Sequence, residues 1–250
     1  IGAVGGARVA MKSAVDYGKE RKQFKRPIVE FGLIQQKIAM MASGIYAGES
    51  MTMRTAGHCA DAIHSMPDDA GPAGMLKVLE EFLVECAIEK VYQSEMHDRD
   101  DDETVQMYGG YGFTTEYPAE RYYRDARNSR NYEGTNEINR LVIGGTILKR
   151  SGQNRLGLFP AVMATAGAAM EGRLELPTFS GPLAEMRTRV WQAKRLVHVV
   201  AMAFVQGMGE SISDPLAVAD QQECLGWMSD CVMEVYALES TMLRTEKVIE

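Results

Sequence analysis

The sequence has little of what marks exported, membrane-spanning or nucleic-acid-binding proteins. Its four cysteines show no CxxC pair and no disulfide-like spacing, which suggests a reducing compartment. No apolar run reaches the ~20 residues that a bilayer-spanning helix needs, so we expect no transmembrane segment. With a formal charge of −7 at pH 7, the chain also lacks the basic excess of a nucleic-acid-binding surface, and we expect no nucleic-acid partner.

A metal site is not expected either. His58, Cys59 and His64 lie near one another in the sequence, but their spacing matches no standard zinc pattern. The 17 methionines are better explained as adaptable core residues than as ligands. We therefore predict that no metal is bound.

Strand-like alternation of apolar and polar residues is absent over any useful length, whereas helical spacing recurs along the whole chain. The pattern predicts an all-α fold in two parts. Residues 1–152 are expected to form a four-helix up-and-down bundle, and residues 153–250 a second helical module that is possibly truncated. The helices are predicted at about 3–23, 31–57, 75–108, 120–126, 136–149, 158–171, 181–210 and 216–249.

The most informative stretch is Asn131–Arg140, in which Glu133 is followed by Gly134 and then by the start of a helix. Glycine allows close approach of a ligand, and Thr135 or Asn136 can cap the helix that follows. Glu133 could thus face a substrate as a general base. By spacing alone, a carboxylate that simply stabilises a helix start is the better explanation.

Three motifs change that balance. They are YGKERKQFKRPI at 17–28, QMYGGYGF at 106–113, and YRDAR at 123–127 leading into YEGTNEI at 132–138. Together, in this order and at this spacing, they resemble the C-terminal helical domain of the FAD-dependent acyl-CoA dehydrogenases. The resemblance spans most of residues 1–150, and the combination is highly specific although each motif alone is weak.

The resemblance implies a reaction and a base. These enzymes remove an α-proton from a fatty acyl-CoA thioester while a β-hydride passes to the flavin. Glu133 matches the base of the family's main branch, and its backbone N–H would help to bind the thioester oxygen. Gly134 would leave room for the thioester. The resemblance therefore implies fatty acyl-CoA as substrate.

The same resemblance assigns FAD contacts. Arg21 matches an arginine that reaches the FAD pyrophosphate of a neighbouring subunit, a role suited to a guanidinium. Further contacts are implied for side chains and backbone in the three motifs, namely Gln23, Phe24, Gln106, Gly109, Gly110, Thr135 and Glu137. Taken singly, Arg21 would be a solvated charge at a helix end, and Gly109-Gly110 a plain helix stop.

A homodimer or a dimer of dimers is also implied, because one FAD lies between two subunits in this family. Electron-transfer flavoprotein is the expected electron acceptor. The helical extension resembles the very-long-chain branch and favours long acyl chains. The expected compartment is the cytoplasm of a bacterium or the mitochondrial matrix of a eukaryote. The chain is expected to be the C-terminal portion of a longer protein and to be inactive alone.

Two other functions stay open at this point. One is an acyl-CoA oxidase, which shares the base but passes electrons to oxygen. The other is a helical assembly module that has lost catalysis. Some positions depart from the family's pattern: Lys25 replaces a glycine, and Asn128 and Asn131 replace apolar residues near the base. The acidic run at 98–103 would fall within a packed helix, where unpaired charge is costly, and either local exposure or divergence from the family's pattern would explain it.

Overall fold

The structure, a computed structural model, describes residues 1–67, 69–173 and 176–249. Within these ranges it is almost entirely helical and confirms the predicted all-α class. The helices are α1 (Gly2–Glu20), α2 (Gly32–His64), α3 (Gly71–Glu81), α4 (Leu83–Tyr108), α5 (Ala119–Asn128), α6 (Asn136–Gly152), α7 (Leu158–Met170), α8 (Ala184–Met208), α9 (Pro215–Asp220) and α10 (Gln222–Ile249). None of them, among the described residues, is both long and apolar enough to cross a membrane.

By their contacts, the described residues fall into two compact units. The first comprises Ile1–His58 with Glu89–Asn136, and the second comprises Cys59–Ile88 with Glu137–Glu250. Each unit therefore draws on two separate stretches of the chain. The predicted domain boundary after residue 152 stays a prediction.

Each unit has its own apolar core. In the first, small and medium side chains of α1, α2 and α4 pack together: Val4, Ala7, Ile45 and Met96. In the second, larger side chains of α6, α7, α8 and α10 do so: Leu148, Val162, Ala201, Phe204, Leu225 and Met228. Methionine serves in both cores, as predicted, although other methionines such as Met53 of α2 are exposed.

The first helix is followed by a hairpin that the sequence did not predict. α1 ends where Arg21 turns to an extended backbone. The strands β1 (Lys22–Gln23) and β2 (Arg26–Pro27) then pair antiparallel, with Lys22 opposite Pro27 and Gln23 opposite Arg26. They are only two residues long, too short for any alternation of apolar and polar residues to predict them.

The prediction of one helix over 75–108 was wrong. The helix is interrupted at Phe82, where ψ of 16° lies outside the α-helical range, and α3 and α4 lie on either side of this residue. The guanidinium of Arg150 donates to the carbonyl oxygens of Glu80 and Glu81, at 2.6 and 2.9 Å, and so binds the backbone next to the break. α3 has no buried residue, and Leu76 and Leu79 are exposed rather than packed as the prediction implied.

Candidate active site

Glu133 lies on a loop that joins α5 to α6, and its backbone has φ of +55°. The left-handed region is unfavourable for a residue with a Cβ atom, apart from short polar residues such as asparagine. Gly134, with φ of +81°, continues the left-handed turn without that cost. Both residues are exposed, and the Glu133 carboxylate makes no hydrogen bond or ion pair with the residues that the structure describes.

Asn136 anchors the far end of this loop instead of capping α6. Only 2% of it is exposed, and its side chain bonds to α4. Its Oδ1 accepts a hydrogen bond from Lys90 Nζ at 2.6 Å, while its Nδ2 donates to Ser94 Oγ and Glu95 Oε1, both at 3.0 Å. From the sequence, Asn136 was predicted only as a helix cap, and Lys90 and Ser94 were not identified as its partners. Their i, i+4 spacing, which places both on one helix face, was the available signal.

The two asparagines near the base are accommodated because both are exposed. Asn131 Oδ1 accepts a hydrogen bond from Arg127 Nη1 at 3.3 Å, one helical turn earlier. Asn128 ends α5 at the surface. Apolar residues at these positions would face solvent in this chain, so the polar substitutions need no compensating change in a core.

Arg21 and the turn after α4 lie together. The guanidinium carbon of Arg21 is 5.6 Å from the ring centroid of Tyr111, which belongs to the 3₁₀ turn Gly109–Phe113. Behind this contact, Tyr17 stacks on Tyr108 with ring centroids 4.1 Å apart. Ser13 Oγ and Tyr108 Oη also lie within hydrogen-bond distance, at 2.8 Å. The structure thus brings the first two sequence motifs to one place.

Gln23 and Phe24 project from the exposed hairpin. Phe24 is 87% exposed, and its backbone φ of +50° is followed by +71° at Lys25. Left-handed residues at both central positions define a type I′ hairpin turn, which favours asparagine and glycine. The glycine usual at position 25 in the resembling family therefore has a physical reason, and Lys25 is strained there.

The other predicted cofactor residues also lie at the surface. Gln106 is exposed on the last turn of α4. Gly109 (φ of +62°) and Gly110 follow it and are exposed as well. Thr135 is half-buried, and Glu137 is exposed in the first turn of α6. Among the described residues, Glu133 makes no polar contact with the group around Arg21 and Tyr111.

A cavity of about 470 Å³ opens beside the stacked tyrosines but does not include Glu133. Polar groups of α1 line it together with aromatic rings: Lys12, Ser13, Asp16, Glu20, Tyr17, Tyr108, Tyr117 and Tyr122, besides Val9. Burial raises the pKa of the Tyr17 hydroxyl. The cavity adjoins the Arg21 group rather than the predicted base.

Two carboxyls of the acidic run are buried, so local exposure does not explain them. Asp100 and Asp101 are 1% and 0% exposed. Burial raises the pKa of Asp100 to about 7, and burial together with the charges of nearby Asp100 and Asp98 raises the pKa of Asp101 to about 8. His97 Nε2 lies 3.2 Å from Asp101 Oδ2, and burial lowers the pKa of this imidazole. Protonation, rather than exposure, makes these carboxyls tolerable inside the helix packing.

No group of three or more His, Cys, Asp or Glu side chains that could hold a metal occurs in the part of the chain that the structure describes. His58 and His64 are exposed, and Cys59 is half-buried.

Comparison with known proteins identifies the domain. A family model described as "Acyl-CoA dehydrogenase, C-terminal domain" matches residues 1–148, and a second model with the same description matches residues 192–250. A probable acyl-CoA dehydrogenase of Bacillus subtilis (strain 168) is 39% identical over 251 residues, which cover 100% of this chain and 41% of the relative. The short-chain specific mitochondrial acyl-CoA dehydrogenase of Homo sapiens is 37% identical over 147 residues, covering 59% of this chain and 32% of the relative.

A solved structure extends the match to the fold. The acyl-CoA dehydrogenase from Bacillus anthracis, complexed with FAD, matches with a TM-score of 0.91 and 38% identity, covering 99% of this chain and 41% of that one. The chain thus spans about two fifths or less of the length of the relatives it matches. Two family models and a relative matched along the whole chain lead to one conclusion: the chain belongs to the acyl-CoA dehydrogenase family and carries its C-terminal domain.

Proposed function

We propose that this chain is the C-terminal part of an FAD-dependent enzyme that forms a double bond between the α and β carbons of fatty acyl-CoA thioesters, with Glu133 as the base. One observation carries the proposal. In a domain of this family, Glu133 is an exposed carboxylate that has no partner among the described residues and sits in a left-handed backbone. A strained residue that contributes no contact to the fold is a candidate for work on a ligand.

In this proposal each residue of the loop has a separate task. The Glu133 carboxylate takes the α-proton of the thioester. The backbone N–H of Glu133 donates to the thioester carbonyl oxygen, where negative charge develops as the proton leaves. Gly134 has no side chain to obstruct the thioester. FAD, when bound, supplies the acceptor for the β-hydride.

The residues proposed to hold FAD fit a dinucleotide. The Arg21 guanidinium is exposed and lies against the Tyr111 ring. Its N–H groups can therefore donate hydrogen bonds to two pyrophosphate oxygens at once. An added Cβ at Gly109 or Gly110 would meet no neighbouring atom within 4 Å, so the backbone there is open to a ligand. Side chains at the same surface complete this set, namely Gln23, Phe24 and Gln106. Thr135 and Glu137 are proposed to contact the FAD of the base's own site.

The proposed assembly is a homodimer or a dimer of dimers, in which the Arg21 group contacts the FAD of a neighbouring subunit. The exposed Phe24 ring at the hairpin tip is proposed to take part in the same FAD contact. Electron-transfer flavoprotein is the proposed electron acceptor, on the basis of family membership. The proposed compartment is the cytoplasm in a bacterium or the mitochondrial matrix in a eukaryote.

We propose long-chain substrates, of the kind that the very-long-chain branch uses. The support is the second helical part of the chain. It has its own family match at residues 192–250, whereas the match to the human short-chain relative covers only 59% of this chain. Comparing kcat/KM for palmitoyl-CoA and butyryl-CoA in the full-length protein tests this. A preference for butyryl-CoA would contradict it.

The test of the base is Glu133→Gln in the full-length protein. The variant should lose exchange of the substrate α-proton and bring turnover down by at least about 100-fold, while its FAD content stays normal. Glu120→Gln is the matched control, because Glu120 lies on neighbouring α5 and pairs only with Arg124 on its own helix surface. Near-normal turnover in Glu133→Gln would refute the assignment.

A second measurement separates the dehydrogenase from an oxidase. Substrate is mixed with the full-length protein without oxygen, and the flavin absorbance is followed before and after air is admitted. Fast reduction followed by slow reoxidation in air supports the dehydrogenase. Fast reoxidation would indicate the oxidase.

A further inference from the structure

Both ends of the Glu133 loop are fastened to a single face of α4. Lys90, Ser94 and Asp98 are spaced four residues apart on this helix and therefore lie along one side of it. Lys90 and Ser94 contact Asn136, where the loop ends, and Asp98 contacts Arg130, where it begins. We call these three residues the α4 ladder.

Lys90 is central, because its ammonium group bonds to both ends of the loop. Nζ donates to Asn136 Oδ1 at 2.6 Å and also approaches the carbonyl oxygen of Arg130 at 3.4 Å. The backbone N–H of Asn136 donates to that same Arg130 carbonyl at 3.2 Å. These bonds close a ring that contains residues 131–135, with Glu133 at its middle.

The beginning of the loop has a second attachment. Arg130 Nη2 lies 3.1 Å from Asp98 Oδ2, and both residues are partly buried. Ser129, just before, is buried and donates through Oγ to the carbonyl oxygen of Ala126 at 2.6 Å. The backbone entering the loop is therefore held on two sides before it reaches the exposed residues.

This arrangement matters because the loop itself is poorly supported. Glu133 occupies a left-handed backbone conformation that its side chain does not favour, and its carboxylate has no partner among the described residues. A strained conformation persists only when its surroundings fix it. Glu133 and its neighbours Asn131, Tyr132 and Gly134 are exposed, so the fixed ends of the loop help to constrain its conformation.

We propose that Lys90 and Asn136 are positioning residues that hold the Glu133 carboxylate in place through the α4 ladder. This inference rests on the proposed function, since it assigns the ladder a role in placing that base. Neither residue touches the reacting atoms. Losing the Lys90 ammonium group removes one bond at each end of the ring and loosens it, and the base then samples positions from which the α-proton is out of reach.

The experiment uses Lys90→Met in the full-length protein, because methionine fills the space but donates no hydrogen bond. We expect kcat to fall about 10- to 100-fold, since small misplacements of a reacting group have effects of this size. KM for acyl-CoA and the FAD content should stay within about twofold, because the binding groups are intact. Lys90→Arg, which keeps a charged donor, should recover part of the lost kcat.

Lys37→Met is the matched control. Lys37 also bonds a residue of α4, Glu103, but it does not touch the loop. It should leave kcat near the wild-type value. In hydrogen exchange followed by mass spectrometry, peptides covering 131–135 should exchange faster in Lys90→Met than in Lys37→Met.

The outcomes are decisive in either direction. Unchanged kcat together with unchanged exchange over 131–135 in Lys90→Met would overturn the inference. If that variant does not fold, Asp98→Ala tests the same idea, since it removes the carboxylate that pairs with Arg130, and the same two readouts apply. An error in the assignment of Glu133 as the base can be told apart from an error in the role of Lys90. Near-normal turnover in Glu133→Gln refutes the proposed function, whereas the exchange rates still decide whether Lys90 fastens the loop.

Discussion

Arg21 is held over the ring of Tyr111, with its guanidinium carbon 5.6 Å from the ring centroid, and this contact joins the end of α1 to the turn after α4. A cation over an aromatic face at an exposed site contributes about 0.5–1 kcal/mol. The contact orients the guanidinium without using up its hydrogen-bond donors, which stay available for an anionic group.

Removing the Tyr111 ring should therefore weaken FAD binding in the full-length protein. We expect Tyr111→Leu to raise the dissociation constant for FAD about two- to fivefold, which is the affinity equivalent of the lost contact. Tyr111→Phe keeps the ring and should bind FAD as the wild type does. Titration of the apoprotein with FAD, followed by flavin fluorescence, measures both. Equal affinities for the Leu and Phe variants would rule out this role for the ring.

Lys25→Gly should stabilise the protein. Lys25 has φ of +71° in the hairpin turn, where glycine is not strained. Relief of that strain exceeds the entropy that glycine adds to the unfolded chain, so we expect a gain of about 0.5–1 kcal/mol and a small rise in Tm. Lys22→Gly, at an extended position of the same hairpin, should lower Tm. Calorimetry of the full-length variants checks the sign, and a lower Tm in Lys25→Gly would contradict the strain argument.

The buried carboxyls should make stability fall as pH rises from about 4 to 8. Unfolded Asp100 and Asp101 release their protons near pH 3.8, whereas burial raises their folded pKa values to about 7 and 8. The folded state thus binds more protons across this window, and stability drops with increasing pH until both groups are ionised. His97 opposes the trend below pH 6.5, because its folded pKa is lowered.

Asp100→Asn and Asp101→Asn isolate this effect, since each removes one titrating group and leaves His97 in place. Other charged groups face the pair, namely Asp98, Arg99, Glu103 and Asp125. Each variant should be stabilised by about 2–4 kcal/mol at pH 8 and little at pH 4. The measurement is Tm against pH, with Asp102→Asn as an exposed neighbouring control. Parallel curves for wild type and variants would show that the carboxyls ionise freely.

Gly110→Ala separates a structural glycine from a ligand-facing one. Nothing lies within 4 Å of a Cβ added at Gly110, so the fold should tolerate alanine there. The free energy of unfolding should change by less than about 1 kcal/mol. If the backbone approaches FAD here, the same methyl group should weaken FAD binding by tenfold or more, about 1.4 kcal/mol. Gly5→Ala, equally open but on α1, should leave FAD affinity unchanged. Normal FAD affinity in Gly110→Ala would remove this glycine from the proposed site.

Much of the fold follows from local sequence signals. The apolar spacing of α1, α2, α6 and α8 predicts helices that the structure contains, with bounds that differ by a few residues at most ends. The prediction of one helix over 216–249 was wrong, because the helix is interrupted at Gln221 and α9 and α10 lie on either side. The break at Phe82 was missed because good helix formers with continuous periodicity lie on both sides of it. The hairpin at 22–27 was missed because its strands hold two residues each. Its left-handed turn carries Phe24 and Lys25 in place of the turn residues that signal such a structure.

The candidate active site could be predicted only in part, because the residues that hold the Glu133 loop are distant from it in the sequence. Arg21, Gly109 and Glu133 were predicted as site residues from motifs that each occupy a few residues. Lys90 lies 46 residues from Asn136, and no local pattern links them. Burial of Asp100 was likewise invisible, since carboxylates are ordinarily exposed and only tertiary packing places this one inside.

Because Glu133 has a left-handed backbone, selection for thermal stability and selection for dehydrogenase activity should favour different residues at position 133. Asparagine and glycine occupy φ of +55° more readily than glutamate does. A library varied at position 133 and sorted only for survival on heating should therefore enrich those two residues. The same library sorted for dehydrogenase activity should keep glutamate at position 133, although glutamate makes the protein less stable there. The order of the variants by thermal stability should therefore be the reverse of their order by activity.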